Sequence, residues 1–156
     1  MTPETTPGLG AIAVAQDEPI LRAPDGEISI LVARDDITIT RARYAAGQSI
    51  AGRHVHAHHT DAFYVLEGKL IFQIGRERET VTVSRGGFVA VPPGVAHALR
   101  VTPEQPACWL TIHTPDGGFA AFMRGICDNV AAAWDIDPVP VDGGGPASDA
   151  TVAHAI

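Results

Sequence analysis

The sequence predicts an all-β fold, an antiparallel sandwich or barrel, with one helix near the C-terminal end. Three observations lead there. Eight short runs rich in Val, Ile, Thr and aromatic residues recur at close spacing between residues 27 and 113. Gly, Pro or charged residues bound each run. No helical periodicity interrupts them, which argues against βαβ units.

Taken in order, residues 1–26 open with a Thr-, Pro-, Gly- and Ala-rich stretch and read as an arm or an edge strand. Residues 27–117 form the β domain. Its first two strands are Glu27 to Ala33 and Ile37 to Tyr44, separated by the turn pair Asp35-Asp36. Further strands are expected at Ala62 to Glu67, Lys69 to Ile74, Thr80 to Ser84, Phe88 to Val91, His97 to Val101 and Cys108 to His113. Gly118 to Trp134 follows a different period. Phe119, Phe122, Met123, Ile126 and Val130 recur at steps of three and four, as on an amphipathic helix, and Ala131 to Ala133 favour helix as well. Residues 135–156, rich in Pro, Gly, Ala and Asp, are expected to form a flexible tail.

Bulk properties narrow the partners. A chain of 156 residues fits one domain that buries enough surface to fold without staples. A net charge of −7 with no basic cluster excludes nucleic acid and anionic membrane surfaces as expected partners, leaving small molecules. Cys108 and Cys127 form no CxxC pair and fit a reducing compartment. No basic leader or long apolar core is visible at the N-terminus, so a cytoplasmic location is expected.

The chemistry concentrates in one place. Four of the seven histidines fall within residues 54–59, in RHVHAHHTDAFYVLEGK, and His97 follows the turn at VAVPPGVAH. On a strand His54 and His56 point to one face. Asp61 follows after a short connection, and Phe63 and Val65 share its parity up to the tight hairpin at Glu67-Gly68. His97 enters from a distant strand whose start is set by Pro92-Pro93-Gly94. Three imidazoles and one carboxylate suit a divalent transition metal: Fe, Mn, Ni, Co, Cu or Zn. Asp61 is either a ligand or a catalytic general base, the latter requiring a pKa raised by an apolar barrel. His58 and His59 belong to the loop between ligands, solvated or bordering the cavity mouth, with His58 a competing ligand by parity.

The same residues resemble the two-part signature of the cupin superfamily. Gly47, His54-x-His56, Asp61 and Gly68 make the first half, and Gly86, Pro92-x-Gly94 and His97 the second. AFYVLEGKLIF and GGFVAVPPGVAHAL are similar to small single-domain cupins of the quercetin-dioxygenase-like kind. The resemblance covers roughly residues 27 to 125. It implies a jelly-roll β-barrel with a metal held inside by His54, His56, Asp61 and His97. Asp61 stands where the family usually has glutamate, and Val101 where an asparagine often closes the second half.

For the interior, strand parity nominates Phe63, Val65, Phe72, Leu99, Val101, Trp109 and His113 as substrate-contacting, an apolar set suited to a planar aromatic or other hydrophobic molecule. The resemblance implies a metal-dependent dioxygenase acting on a small aromatic or diketone-like substrate. Two alternatives use the same interior. One is non-redox isomerase, cyclase or lyase chemistry; the other is a small-molecule-binding protein without catalysis. In the family it resembles, extended N-terminal arms and exposed sheet edges commonly pair across a two-fold axis, so the resemblance implies a homodimer.

Overall fold

The computed structural model describes residues 11–139. Eleven strands and one helix follow in the order β1 Pro19–Ala23, β2 Gly26–Ala33, β3 Thr38–Tyr44, β4 Ser49–Val55, β5 Thr60–Glu67, β6 Lys69–Ile74, β7 Glu79–Ser84, β8 Phe88–Val91, β9 His97–Val101, β10 Ala107–Thr114, α1 Phe119–Asp128 and β11 Asp137–Pro138. They build two antiparallel sheets, ordered β1-β2-β3-β10-β5-β8 and β11-β4-β9-β6-β7. Strand β10 enters between β3 and β5, and β9 between β4 and β6. These non-sequential neighbours are those of a jelly roll, which brings residues distant in sequence onto facing surfaces.

Alternation sets the layers. In β5 Asp61, Phe63 and Val65 are buried while Tyr64 is exposed, and in β6 Leu70, Phe72 and Ile74 are buried between half-exposed neighbours. The core between the sheets includes Val65, Leu70, Phe72 and Val101, each fully buried. The Phe63 and Phe72 rings meet at 5.0 Å in a tilted arrangement, a favoured aromatic geometry. At the β5–β6 hairpin Gly68 has φ +73, and a Cβ there would strike the Pro106 carbonyl; only glycine meets both demands.

The region before β2 is held by a strand and an ion pair. β1 pairs with the edge of β2, and Asp17 pairs with Arg41 of β3. The expected residues 1–10 of the arm lie outside the described residues.

The helix differs from expectation. It ends at Asp128 instead of Trp134, because Asn129 takes the left-handed conformation at φ 56 and donates its N–H to the Gly125 carbonyl. Val130 donates to the same carbonyl. The alanines at 131–133, helix formers by propensity, are instead carried back across the barrel mouth. There Trp134 finds aromatic partners in Phe119 and Phe122, at 5.0 and 5.7 Å between ring centres; tertiary packing outweighs propensity.

The expected flexible tail also begins too early. Asp135 is anchored by hydrogen bonds, Asp137–Pro138 pairs with β4, and Val139 donates its N–H to the Arg53 carbonyl at 3.0 Å. Residues 140–156 lie outside the described residues. Among the described residues no helix is long and apolar enough to cross a membrane.

Candidate metal centre

The end of β4, the start of β5 and the start of β9 converge at one end of the space between the sheets. His54 pairs in register with His97 across β4 and β9. Breaks in that register between Ser49 and His54 re-aim the chain, so both His54 and His56 are buried although β4 ends at Val55. His54, His56, Asp61 and His97 each offer one ligand atom, all within 4.8 Å of one another. Despite its shorter side chain, Asp61 reaches the cluster: its Oδ2 lies 3.1 Å from both His56 Nε2 and His97 Nε2.

Hydrogen bonding sets the tautomers. His54 Nδ1 lies 2.6 Å from the Gly52 carbonyl, His56 Nδ1 2.6 Å from the Asp135 carbonyl, and His97 Nδ1 3.1 Å from the Val95 carbonyl. Carbonyls only accept, so each Nδ1 carries the proton and each Nε2 presents a lone pair. At His56 and His97 these lone pairs face a carboxylate oxygen. Two acceptors at 3.1 Å need a proton or a cation between them, and the buried set of three nitrogens and one oxygen fits a divalent transition ion.

The metal-free electrostatics follow the same logic. Burial, reinforced by the neighbouring His97, lowers the His54 imidazole to about 4. Burial works against a charged His56 too, but the Asp61 carboxylate overcomes it and raises that imidazole above its ordinary value. Burial alone would push Asp61 upward; contacts with His113, His56 and His97 outweigh it and hold the carboxyl well below the ordinary carboxylate range. The raised pKa expected at Asp61 is therefore not met: in the metal-free protein three surrounding imidazoles favour its charged form.

A pH prediction follows. His54 is depressed from 6.5 to about 4, and His59 is lowered by burial and by His56 and His113. Both favour the neutral form in the fold, so their stabilisation is full above pH 6.5 and fades as pH falls. Asp61 extends the loss below 3.8. His56, raised, acts in the opposite direction only above 6.5. The metal-free protein should therefore melt at progressively lower temperature as pH drops from 6.5 to 4, and bound metal should be released over the same range because ligating imidazoles must be neutral. A melting temperature flat across that interval would contradict the assignment.

Next to the cluster lies a cavity of about 820 Å³ whose lining includes His54 and Asp61. Its walls are mostly apolar, with Phe63, Leu99, Trp109, Phe119, Phe122 and Trp134 prominent. Of the expected contact residues, Phe63, Leu99, Trp109 and His113 line it. Val65, Phe72 and Val101 do not; they are fully buried in the core beneath. Parity places a side chain on the inner face but does not say which inner residues border empty space: Val65 sits in register with Trp109 and Phe72 with Leu99, yet only Trp109 and Leu99 line the cavity. Of the helix stripe, Met123 is buried in the core and Phe119 and Phe122 pack against it, and together with the exposed Ile126 they also form cavity wall.

His113 is the second polar feature. Its Nε2 lies 3.1 Å from Asp61 Oδ1, and its Nδ1 is buried without a hydrogen-bond partner. His59, assigned to a loop between ligands, is fully buried and bonded through Nδ1 to Asp135 Oδ2 at 2.7 Å. Gly117 packs so closely on its ring that a Cβ there would collide with it. His58 stays exposed. Asp135 escaped the sequence reading, which placed it at the start of the flexible tail, and Trp134 was read only as the end of the helix segment. A tryptophan bordering that tail is the one signal that could have pointed to Asp135, since so large an apolar side chain usually finds a packed place and holds its neighbours.

The family profile described as a cupin domain matches residues 40–113. No curated protein matches the chain. Among solved structures, the polyketide cyclase RemF from Streptomyces resistomycificus is 20% identical, with 70% of this chain and 81% of that one covered at a TM-score of 0.56. KdgF from Halomonas sp. is 19% identical over 64% of this chain and 87% of that one, at 0.54. A double-stranded β-helix protein from Klebsiella pneumoniae subsp. pneumoniae is 20% identical over 61% and 81%, at 0.53. At such identities the likeness establishes the fold.

Proposed function

From the match of residues 40–113 to a cupin-domain family model, we propose that this protein is a metal-dependent enzyme of the dioxygenase type, acting on a planar, largely apolar substrate that carries a hydroxyl or enol oxygen. One observation carries the reading. The His54, His56, Asp61 and His97 donors meet beside an apolar cavity of about 820 Å³, room for a multi-ring aromatic or extended diketone. A divalent ion held there supplies Lewis acidity and, if redox-active, a route for substrate electrons to dioxygen.

The chain's own residues do the rest. Trp109 and Phe63 on the sheets and Phe119 and Trp134 opposite present aromatic faces to a flat substrate. Their bulk excludes water from the end of the cavity that holds Asp61. His113 borders the cavity, and the Asp61 carboxylate, 3.1 Å from its Nε2, holds the ring in place. Thr111 Oγ1 is already taken by the Trp109 indole N–H at 3.1 Å, which fixes that indole.

The Asp61–His113 pair also favours a second reading, since it can orient an enolisable substrate without any oxidant: cyclisation, isomerisation or elimination. That the structurally similar RemF is a polyketide cyclase fits this reading. Oxygen consumption decides between them. Protein reconstituted with iron(II), manganese, nickel or cobalt should consume dioxygen with a flavonol, a catechol or a β-diketone. Turnover of such compounds under nitrogen transfers the assignment to the non-oxidative reading. Binding without product in either atmosphere removes the enzymatic reading.

A further inference from the structure

The three histidines of the centre are held in two different ways. His54 and His97 each reach a carbonyl two residues away in their own segment, Gly52 and Val95, so local backbone orients them. His56 reaches a carbonyl 79 residues further along the chain, that of Asp135. We propose that Asp135 is the positioning residue of the metal centre, and that through it the 130–139 strap couples the outer wall of the cavity to the orientation of His56. This rests on the metal-binding reading above.

Both ends of Asp135 grip the segment that carries His56. Its carboxylate accepts from the Ala57 N–H at 3.0 Å, the His58 N–H at 2.8 Å and His59 Nδ1 at 2.7 Å. Three donors converging on one carboxylate fix the loop after His56. The Asp135 backbone N–H in turn donates to the Gly117 carbonyl at 2.8 Å, and Gly117 closes over the face of His59. Without the carboxylate, the loop donors lose their acceptor and the carbonyl loses the anchor that holds it against His56 Nδ1.

The strap is also cavity wall. Ala132, Trp134, Ile136 and Pro138 line the cavity on either side of Asp135, and the Trp134 ring lies 5.3 Å from that of His56. A ligand that displaces this wall displaces the acceptor of a metal-ligating imidazole. The device links cavity occupancy to the centre without Asp135 touching substrate or ion.

The test uses cobalt(II) on the full chain, with affinity measured by competition against a chromophoric chelator and geometry read from the visible d–d bands, below the melting transition of each variant. Asp135→Ala should weaken cobalt binding by about 10- to 100-fold and shift the bands, the scale for losing a group that orients a ligand. Asp135→Asn, which keeps one acceptor oxygen, should lose less and shift the bands in the same direction. His58→Ala, which alters an exposed side chain and keeps the backbone donor, should match wild type. Wild-type affinity and bands in Asp135→Ala overturn the inference and leave the metal reading standing. If that variant does not fold, unchanged affinity and bands in Asp135→Asn overturn it equally. Failure of the wild-type protein to bind cobalt removes the metal reading and the inference together.

Discussion

Replacing His56 with alanine should abolish metal retention while the barrel stays folded. The imidazole supplies one of four converging donors and is the only one of the three ring ligands held by a remote segment. Its loss leaves two nitrogens and a carboxylate. The affinity should fall by more than about 100-fold, beyond the range found when only a group behind a ligand is removed. Elemental analysis after dialysis should show near-zero stoichiometry, against one equivalent in wild type. Folding should survive because the core beneath, built on Leu70, Phe72 and Val101, does not include His56. The Asp135 carbonyl would lose its donor, and a stability loss of about 1–3 kcal/mol is expected for that orphaned buried group. Full metal content in a folded His56→Ala protein would refute the ligand set.

Phe72→Ala should cost about 3–5 kcal/mol of unfolding free energy, a large share of the roughly 5–15 kcal/mol a domain of this size has available. Phe72 is fully buried, meets the tilted Phe63 ring at 5.0 Å and sits in register between Val81 and Leu99. Its removal opens a void beside Phe63, Val81 and Leu99, so a cavity term adds to the lost transfer energy. Phe122→Ala is the matched comparison. That ring is only partly buried and faces the open cavity, so its removal should cost about 1 kcal/mol while loosening substrate binding. Urea unfolding of both variants separates the roles. Similar losses would mean that Phe72, too, belongs to the adaptable wall.

These two positions mark where the sequence was legible and where it was not. Phe72 and Phe63 share the inward parity of their strands, and parity alone nominated both as substrate contacts. Only Phe63 lines the cavity; Phe72 is fully buried in the same core cluster. Strand alternation has a period of two and carries no information on which inward side chains border empty space, which depends on how the two sheets are packed. The donor set was legible for the opposite reason. His54 and His56 are two residues apart on one strand end, Asp61 begins the next strand, and a proline-glycine turn fixes the entry of His97. Each constraint is local chemistry that a reader of the chain can see.

The helix shows a local signal overridden. Ala131 to Ala133 favour helix, yet Asn129 stops it and the chain turns back, because Trp134 gains more by packing against Phe119 and Phe122 than three alanines gain by extending a helix end. That reversal delivers Asp135 to the His56 loop.

The sequence by itself determined the antiparallel β architecture and the three imidazoles and one carboxylate able to hold a metal, since hydrophobic alternation and ligand spacing act over a few residues. Only the tertiary structure decided which inward residues border a cavity and which fill the core, that His56, His97 and His113 surround the Asp61 carboxylate, and that a segment read as loose tail carries the acceptor for His56. Those outcomes depend on contacts between residues many tens of positions apart, and no local pattern of apolar or charged residues encodes such contacts in a form readable along one strand or one turn.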